Sequence, residues 1–325
     1  MESLAVKIKN LQLRSPLMTA SGTSGHSNEI EILQNSSEIL SFIGAFVTKG
    51  VTLKARMGNP KVRIIETRFG ILNSIGLQNN GVEYFVRNEL PGMLNFNVPI
   101  IVNISADTEE EFGEIASFLS HSNSSEIIGG IEINVSCPNI KKGGVAFGTD
   151  PRTVERIVKN VKNNIDDRLL VITKLTPNVT DITVPARAAI DGGTDAISLI
   201  NTIRGMAIDI NTGSPYLGNK IGGLSGPAIK PVGIFMVYEC FEKIRECYSR
   251  KIPIIGIGGI SSWQDAIEYL MAGATAVGIG SAWFVSPNIF KEISNGIKKF
   301  IDKKRVSISD LVGKAHEKNK DMLPC

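Results

Sequence analysis

The chain is poor in the residues that most often announce chemistry on their own. Among 325 residues there are three histidines, four cysteines and two tryptophans. His26, His121 and His316 stand alone, with no H-x-x-H or H-E-x-x-H to grip a metal, so each reads as a surface or packing histidine. Cys137, Cys240, Cys247 and Cys325 include no C-x-x-C pair. They are too few to staple a chain this long and lack iron–sulfur spacing, which excludes a disulfide scaffold and fits a reducing compartment. Cys240 and Cys247, seven apart on one predicted helix, read as core residues. No apolar run approaches the ~18 residues of a membrane span, and Met1-Glu2-Ser3-Leu4 lacks the charged-then-apolar design of a signal peptide. A cytoplasmic protein is expected. Net charge is scarce as well: 35 Lys+Arg against 32 Asp+Glu leave +3, too balanced for a nucleic-acid surface or a polybasic membrane anchor.

Glycine and aliphatic residues are plentiful. With 32 glycines and 42% hydrophobic residues, disorder, collagen and coiled coil are excluded and a large core is assured. The length suits two average domains or one α/β barrel. Short β-branched runs recur at Leu17-Ala20, Ala45-Thr48, Ile100-Ile104, Ile131-Val135, Leu169-Lys174, Ala196-Ile200, Ile252-Ile257 and Ala274-Ile279, and each reads as a buried strand. Helical spacing lies between them at Glu109-Leu119, Pro151-Asn163, Pro231-Ser249, Ser262-Ala272 and Pro287-Lys303. Eight strands apolar on both faces and alternating with helices predict a (β/α)8 TIM barrel. Residues 1–15 predict a small N-terminal β-hairpin closing the barrel's lower end. The absence of repeats and linkers predicts a single domain over 1–325, with 306–325 a polar C-terminal tail beyond the last barrel helix. The cationic stretch from Lys298 to Arg305 reads as a solvated helix face.

In such a barrel, chemistry sits at the C-terminal strand ends. Those ends read Ser21-Gly22, Lys49-Gly50, Asn103, Asn134 to Cys137, Lys174, Asn201-Thr202, Gly258-Gly259 and Gly280-Ser281. Two lysines and three asparagines closing apolar strands predict a donor-rich ligand site. The glycines ending the last two strands predict a phosphate site, where bare backbone N–H groups approach an anion. Gly256-x-Gly258-x-x-Ser261 is a poor dinucleotide fingerprint, lacking its third glycine. Cys137, in a polar turn beside this pocket, is a candidate nucleophile or proton-abstracting base.

Four motifs carry a resemblance over nearly the whole chain. Thr48-Lys49-Gly50, Asn73-Ser74-Ile75-Gly76-Leu77-Gln78-Asn79, Asn134-Val135-Ser136-Cys137-Pro138-Asn139 and Gly222 to Ala228 resemble the class 1 dihydroorotate dehydrogenases, specifically the class 1B catalytic subunit. The resemblance implies an FMN-containing α/β barrel that oxidises (S)-dihydroorotate to orotate in pyrimidine biosynthesis. It implies that Ser21, Lys49, Gly50, Asn103, Asn134, Lys174, Ile200, Gly226, Gly258, Gly259, Gly280 and Ser281 hold FMN. It further implies that Lys49, Asn73, Ser74, Ile75, Gly76, Leu77, Asn134, Asn201 and Thr202 bind substrate, and that Cys137 takes the C5 proton while a hydride passes from C6 to flavin N5. The loop Lys141 to Asp150 is expected to close over the site. Ser74 stands where class 1B members commonly carry alanine.

The segments Lys141 to Asp150 and Asn201 to Met206 resemble class 1B more than the fumarate-using class 1A. That implies a partner subunit carrying FAD and a [2Fe-2S] cluster, NAD+ as final acceptor, and a heterotetramer of two subunits of each kind. The membrane-bound class 2, with a serine base, fits poorly. The rival readings are a dihydropyrimidine dehydrogenase-type activity and a catalytically silent FMN-binding subunit.

Overall fold

The computed structural model describes residues 4–26, 36–122, 124–136, 138–139 and 145–317. Eight parallel strands form its centre: β1 (Leu17–Thr19), β2 (Phe46–Val47), β3 (Ile100–Ile104), β4 (Ile128–Asn134), β5 (Leu170–Lys174), β6 (Ala196–Leu199), β7 (Ile254–Ile257) and β8 (Ala276–Ile279). Consecutive strands pair in register from β2 round to β8, and β8 pairs with β1. A parallel bridge between Met18 and Ala45 joins β1 to β2 and closes the barrel. Strands β1, β3, β5, β6, β7 and β8 have every residue buried. That is the environment their β-branched, two-faced apolar composition requires.

A helix follows each strand. These are α1 (Ser36–Ser41), α2 (Val82–Tyr84, running on as a π-turn through Glu89), α3 (Glu109–Ser120), α4 (Pro151–Asn163), α5 (Thr183–Asp191), α6 (Lys230–Cys247), α7 (Trp263–Ala272) and α8 (Ile289–Lys304). Local chemistry sets their starts. Thr108 caps α3 through Glu111 N, Asp150 caps α4 with Pro151 at its first position, and Ser262 caps α7 through Asp265 N, each satisfying a donor that the helix leaves free. The sequence reading passes over α5. Its TVPARAAID run places proline inside the first turn and is half alanine beyond it, which leaves little amphipathic contrast to detect.

The N-terminal hairpin pairs Val6–Ile8 with Leu11–Leu13. It lies at the lower end: Lys9 ion-pairs with Asp195 just before β6 and donates to the Asp167 carbonyl before β5. A four-stranded antiparallel sheet absent from the sequence reading is built from Ile64–Thr67, Gly70–Asn73, Ile203–Gly205 and Gly222–Ser225, inserted after β2 and β6. Its strands come from distant segments and are rich in glycine, so neither alternation nor local hairpin spacing reveals them.

Two expectations need correcting. Residues 306–317 are not simply a polar tail. A capping box at Ser307 and Asp310 starts the short helix Ile308–Leu311, whose Ile308 and Leu311 are buried, and the His316 ring stacks on Tyr238 at 3.8 Å. Three anchors spaced through a polar segment outweigh its mean polarity. Deleting 306–325 is expected to cost about 3 kcal/mol or more for the two aliphatic side chains, read as a fall in the urea midpoint. An unchanged midpoint would show that the segment contributes nothing. Cys240 is buried in the core as expected, but Cys247 is exposed. It occupies the last residue of α6, where the helix has run past the elements that cover its apolar face.

Candidate active site

The upper mouth of the barrel is built from strand-end side chains whose partners cross between strands. On β4, Glu132 is 2% exposed and points inward among polar neighbours. Asn103 Nδ2 on β3 donates to its Oε1 at 2.7 Å, Ser198 Oγ on β6 donates to its Oε2 at 2.8 Å, and Lys174 Nζ at the end of β5 stands 3.8 Å from Oε1. Four strands thus contribute one polar side chain each, two of them charged, to a buried cluster. Register makes it possible: Asn103 pairs across to Glu132, and Lys174 pairs to Ser198, so their side chains share the inner face. A carboxylate and an ammonium removed from water require such partners.

Sequence reasoning names Asn103 and Lys174 but misses Glu132 and Ser198. The signal was there in Ile131-Glu132-Ile133, a charged residue inside an otherwise apolar strand, since Glu is almost never buried unless paired.

Asn103 spends its N–H on Glu132, and its Oδ1 is buried without a partner among the described residues, as are the hydroxyls of Ser105 and Ser136. This acceptor faces the next strand end. A Cβ placed on Gly50 would lie 3.2 Å from Asn103 Oδ1 and 3.3 Å from Leu77 Cδ2, so Lys49-Gly50, Asn103 and the Asn73 to Leu77 segment converge. Lys49 is half-buried, its backbone N–H donates to the Gly25 carbonyl, and its ammonium has no partner within ion-pair distance among the described residues. Asn59 Nδ2 donates to Ser74 Oγ at 2.7 Å. The serine at this position therefore pins the segment. At Gly76 the φ is +76° and a Cβ would fall 2.5 Å from Asn59 N, so only glycine fits the turn that carries Ile75 to Leu77.

A second group forms beside it. Asn201 Nδ2 donates to Asn134 Oδ1 at 3.2 Å, Asn201 Oδ1 accepts from Thr202 N, and Asn178 Nδ2 donates to the Thr202 carbonyl. Asn73 Nδ2 donates to the Gly223 carbonyl at 3.2 Å, tying the Asn73 strand to the glycine motif at 222–226. Asn134, Asn201 and Thr202 are thus held by a connected set of amides, with Asn73 tied separately to the glycine motif.

The third group lies on the β7–β8 side. Gly258 and Gly259 have φ of +130° and +69°, conformations that a side chain strains. A Cβ on Gly259 would meet the Gly226 carbonyl oxygen at 2.8 Å, and one on Gly258 would lie 3.4 Å from Ile200 Cγ1. Gly226, Ile200 and the Gly258-Gly259 turn are therefore neighbours. Tyr269, fully buried, donates its hydroxyl to the Gly258 carbonyl at 2.7 Å. Asp265 accepts from the Ser261 N–H at 3.0 Å and from Lys230 Nζ at 2.7 Å. Burial pushes the Asp265 carboxyl up, but its hydrogen bonds from Lys230, Ser261 and Ser262 outweigh that and hold it below the ordinary range. The result is a glycine turn locked from outside with its inner edge bare. Gly280, Ala20 and Thr23 meet at the neighbouring strand ends, a Cβ on Gly280 lying 3.5 Å from that of Ala20; Ser21 and Ser281 adjoin them in sequence and are half-buried.

Cys137 and the loop from 140 to 144 lie outside the described residues. The base of that loop is in place, with Pro138–Asn139 pairing antiparallel to Val145–Ala146. His26 is buried beside Phe85 and 3.4 Å from Glu89, and His121 hydrogen-bonds the Ser117 carbonyl at a helix end.

These donors fit a flavin mononucleotide. A bare glycine turn suits its phosphate, an unpartnered buried amide oxygen suits the ring imide N–H or a ribityl hydroxyl, and a buried ammonium suits a ring that gains negative charge on reduction.

Comparison with known proteins agrees with this geometry. The dihydroorotate dehydrogenase family model matches residues 3–301. The chain is 48% identical over 312 residues to the protein named dihydroorotate dehydrogenase B (NAD(+)), catalytic subunit, of Caldicellulosiruptor bescii, covering 96% of this chain and 98% of that one. Proteins of the same name from Thermoanaerobacter sp. and Desulforamulus reducens are 49% and 47% identical, over 96% and 97% of this chain and 98% and 99% of theirs.

Proposed function

The chain belongs to the dihydroorotate dehydrogenase family, and we propose that it is the FMN-bearing catalytic subunit of a class 1B enzyme, oxidising (S)-dihydroorotate to orotate in de novo pyrimidine synthesis in the cytoplasm. The observation that carries the reading is the buried cluster of Asn103, Glu132, Lys174 and Ser198 at the barrel mouth, a fixed cation and an open acceptor under converging strand ends.

Ser21, Lys49, Gly50, Asn103, Asn134, Lys174, Ile200, Gly226, Gly258, Gly259, Gly280 and Ser281 would hold FMN, which when bound supplies the acceptor for the hydride leaving C6 of the substrate. The protein's own residues do the rest. Lys49 brings an ammonium with no ion-pair partner among the described residues to the substrate carboxylate, with backbone N–H groups of the tight turn at Gly76 and Leu77 beside it. Asn73, Asn134, Asn201 and Thr202 present neutral amides and a hydroxyl to the donors and acceptors of the pyrimidine ring; Asn134 and Asn201 are already oriented by the hydrogen bond between them and Asn73 by its bond to the Gly223 carbonyl, so little ordering of these amides is needed on binding. Cys137, as thiolate, takes the proton from C5 on the ring face opposite the departing hydride. The electron pair of that C–H bond becomes the new C5=C6 double bond. The loop 141–150 shields the site from water.

The relatives are named as catalytic subunits of NAD(+)-linked enzymes. That supports a second subunit that takes electrons from this chain to NAD+; we propose that it carries FAD and a [2Fe-2S] cluster and assembles with this chain as two subunits of each kind. Anaerobic mixing of the purified protein with dihydroorotate is expected to bleach its flavin, while dihydrouracil leaves it yellow. Flavin-free protein, or equal bleaching by dihydrouracil, would overturn the assignment. Rapid fumarate-dependent turnover by this chain alone would move it to class 1A.

A further inference from the structure

Lys174 does not meet the pocket as a lone cation. Its ammonium and the Glu132 carboxylate are 6% and 2% exposed, 3.8 Å apart, and Glu132 is itself held by Asn103 and Ser198 at 2.7 and 2.8 Å. Both carboxylate oxygens are engaged, one from β3 and one from β6, so the negative charge is fixed in place. In a site this dry, a unit charge a few ångströms further away still offsets much of the nearer one.

We propose that Glu132 is a positioning and charge-balancing residue: it aims Lys174 and Asn103 at the cofactor, and it lowers the net positive field there so that the reduced flavin releases its electrons to a low-potential acceptor. The inference rests on the FMN reading above. A bare lysine beneath the ring would stabilise the reduced anion and hold the electrons; NAD+ is a poor oxidant, and an enzyme that must reach it gains from a partly neutralised floor. The cluster suits that task. Glu132 keeps its place through the two hydrogen bonds whether or not Lys174 moves, and Asn103, having given an N–H to Glu132, keeps its Oδ1 without a partner among the described residues.

The test reads the flavin itself. In Glu132→Gln, which keeps the shape and removes the charge, sulfite should bind the oxidised flavin about tenfold more tightly at pH 6.5, read by loss of the visible flavin band. The midpoint potential should rise by about 30 mV, the two-electron equivalent of that tenfold change. Ser198→Ala removes one donor from the carboxylate and leaves its charge less screened, so sulfite should bind about threefold more weakly. It also provides an arm of the test that keeps both charges should the glutamine variant fail to fold. Opposite shifts from two neighbouring substitutions are a signature that a packing defect does not produce. Unchanged or weaker sulfite binding in Glu132→Gln, or tighter binding in Ser198→Ala, overturns the proposal while leaving the flavoenzyme reading intact. A wild-type protein that binds no flavin overturns both.

Discussion

Replacing Cys137 by alanine is expected to leave a yellow protein whose flavin is reduced by dihydroorotate about 10²- to 10⁴-fold more slowly, the usual contribution of a positioned general base. The residues proposed to hold the cofactor and the amides proposed to bind substrate all lie elsewhere, at the ends of β1 to β8, at Gly226 and in the Asn73 to Leu77 segment. The cofactor and the substrate should therefore still bind, and the loss should fall on the rate of reduction rather than on the concentration of dihydroorotate that half-saturates it. An ordinary thiol, with a pKa of ~8.5, is only a few per cent ionised at neutral pH. Reduction of the wild-type flavin should consequently quicken as pH rises through the thiol's pKa, and the alanine variant should lose that rise. Stopped-flow absorbance under anaerobic conditions separates the two quantities. Full-speed reduction in the variant would remove Cys137 from the mechanism. Cys240 serves as the internal contrast: burial pushes its thiol far above the ordinary range, and it packs into the core from the buried face of α6, so it offers no thiolate near neutral pH.

The barrel was legible because its strands obey a simple rule. A strand buried on both faces is a short β-branched run, and all eight such runs in the sequence correspond to strands of the closed sheet, with edges displaced by a residue or a few where the last side chain turns into a loop. The antiparallel sheet over the mouth was not legible. Gly222-Gly223-Leu224-Ser225 and Gly70-Ile71-Leu72-Asn73 pair across 150 residues, and half of one strand is glycine, so the contacts that define it are tertiary and leave no periodic trace. At the site the same division holds. Asn103, Lys174 and the terminal glycines were readable because polar residues closing apolar strands are anomalous. Glu132 lies two residues deeper, inside a strand that otherwise satisfies the apolar pattern, and the pattern absorbed it. Asp265 and Tyr269 were invisible for a different reason. They sit on α7, outside the barrel, and act on the Gly258-Gly259 turn through the backbone, a role that depends on packing between helix and strand.

The second large effect concerns the pair at the barrel mouth. Lys174→Met should destabilise the flavin-free protein by about 3–5 kcal/mol, because it strips the cation from a carboxylate that stays buried. A packing explanation would predict less, since methionine fills nearly the lysine's volume. The double variant Lys174→Met/Glu132→Leu distinguishes them: with both charges gone, Asn103 and Ser198 lose their carboxylate acceptor and remain as buried neutral donors, a smaller cost than a buried unpaired charge, so part of the deficit should be recovered, giving a coupling of at least ~2 kcal/mol between the two sites. Denaturation midpoints of the wild type, both single variants and the double variant, all stripped of flavin in the same way, supply the cycle, and strict additivity would show that the two charges do not depend on each other. Recovery of stability without recovery of flavin binding would identify what the pair is for. In that outcome the ions are kept for the charge they hold beneath the cofactor rather than for the core, as the charge-balancing proposal requires.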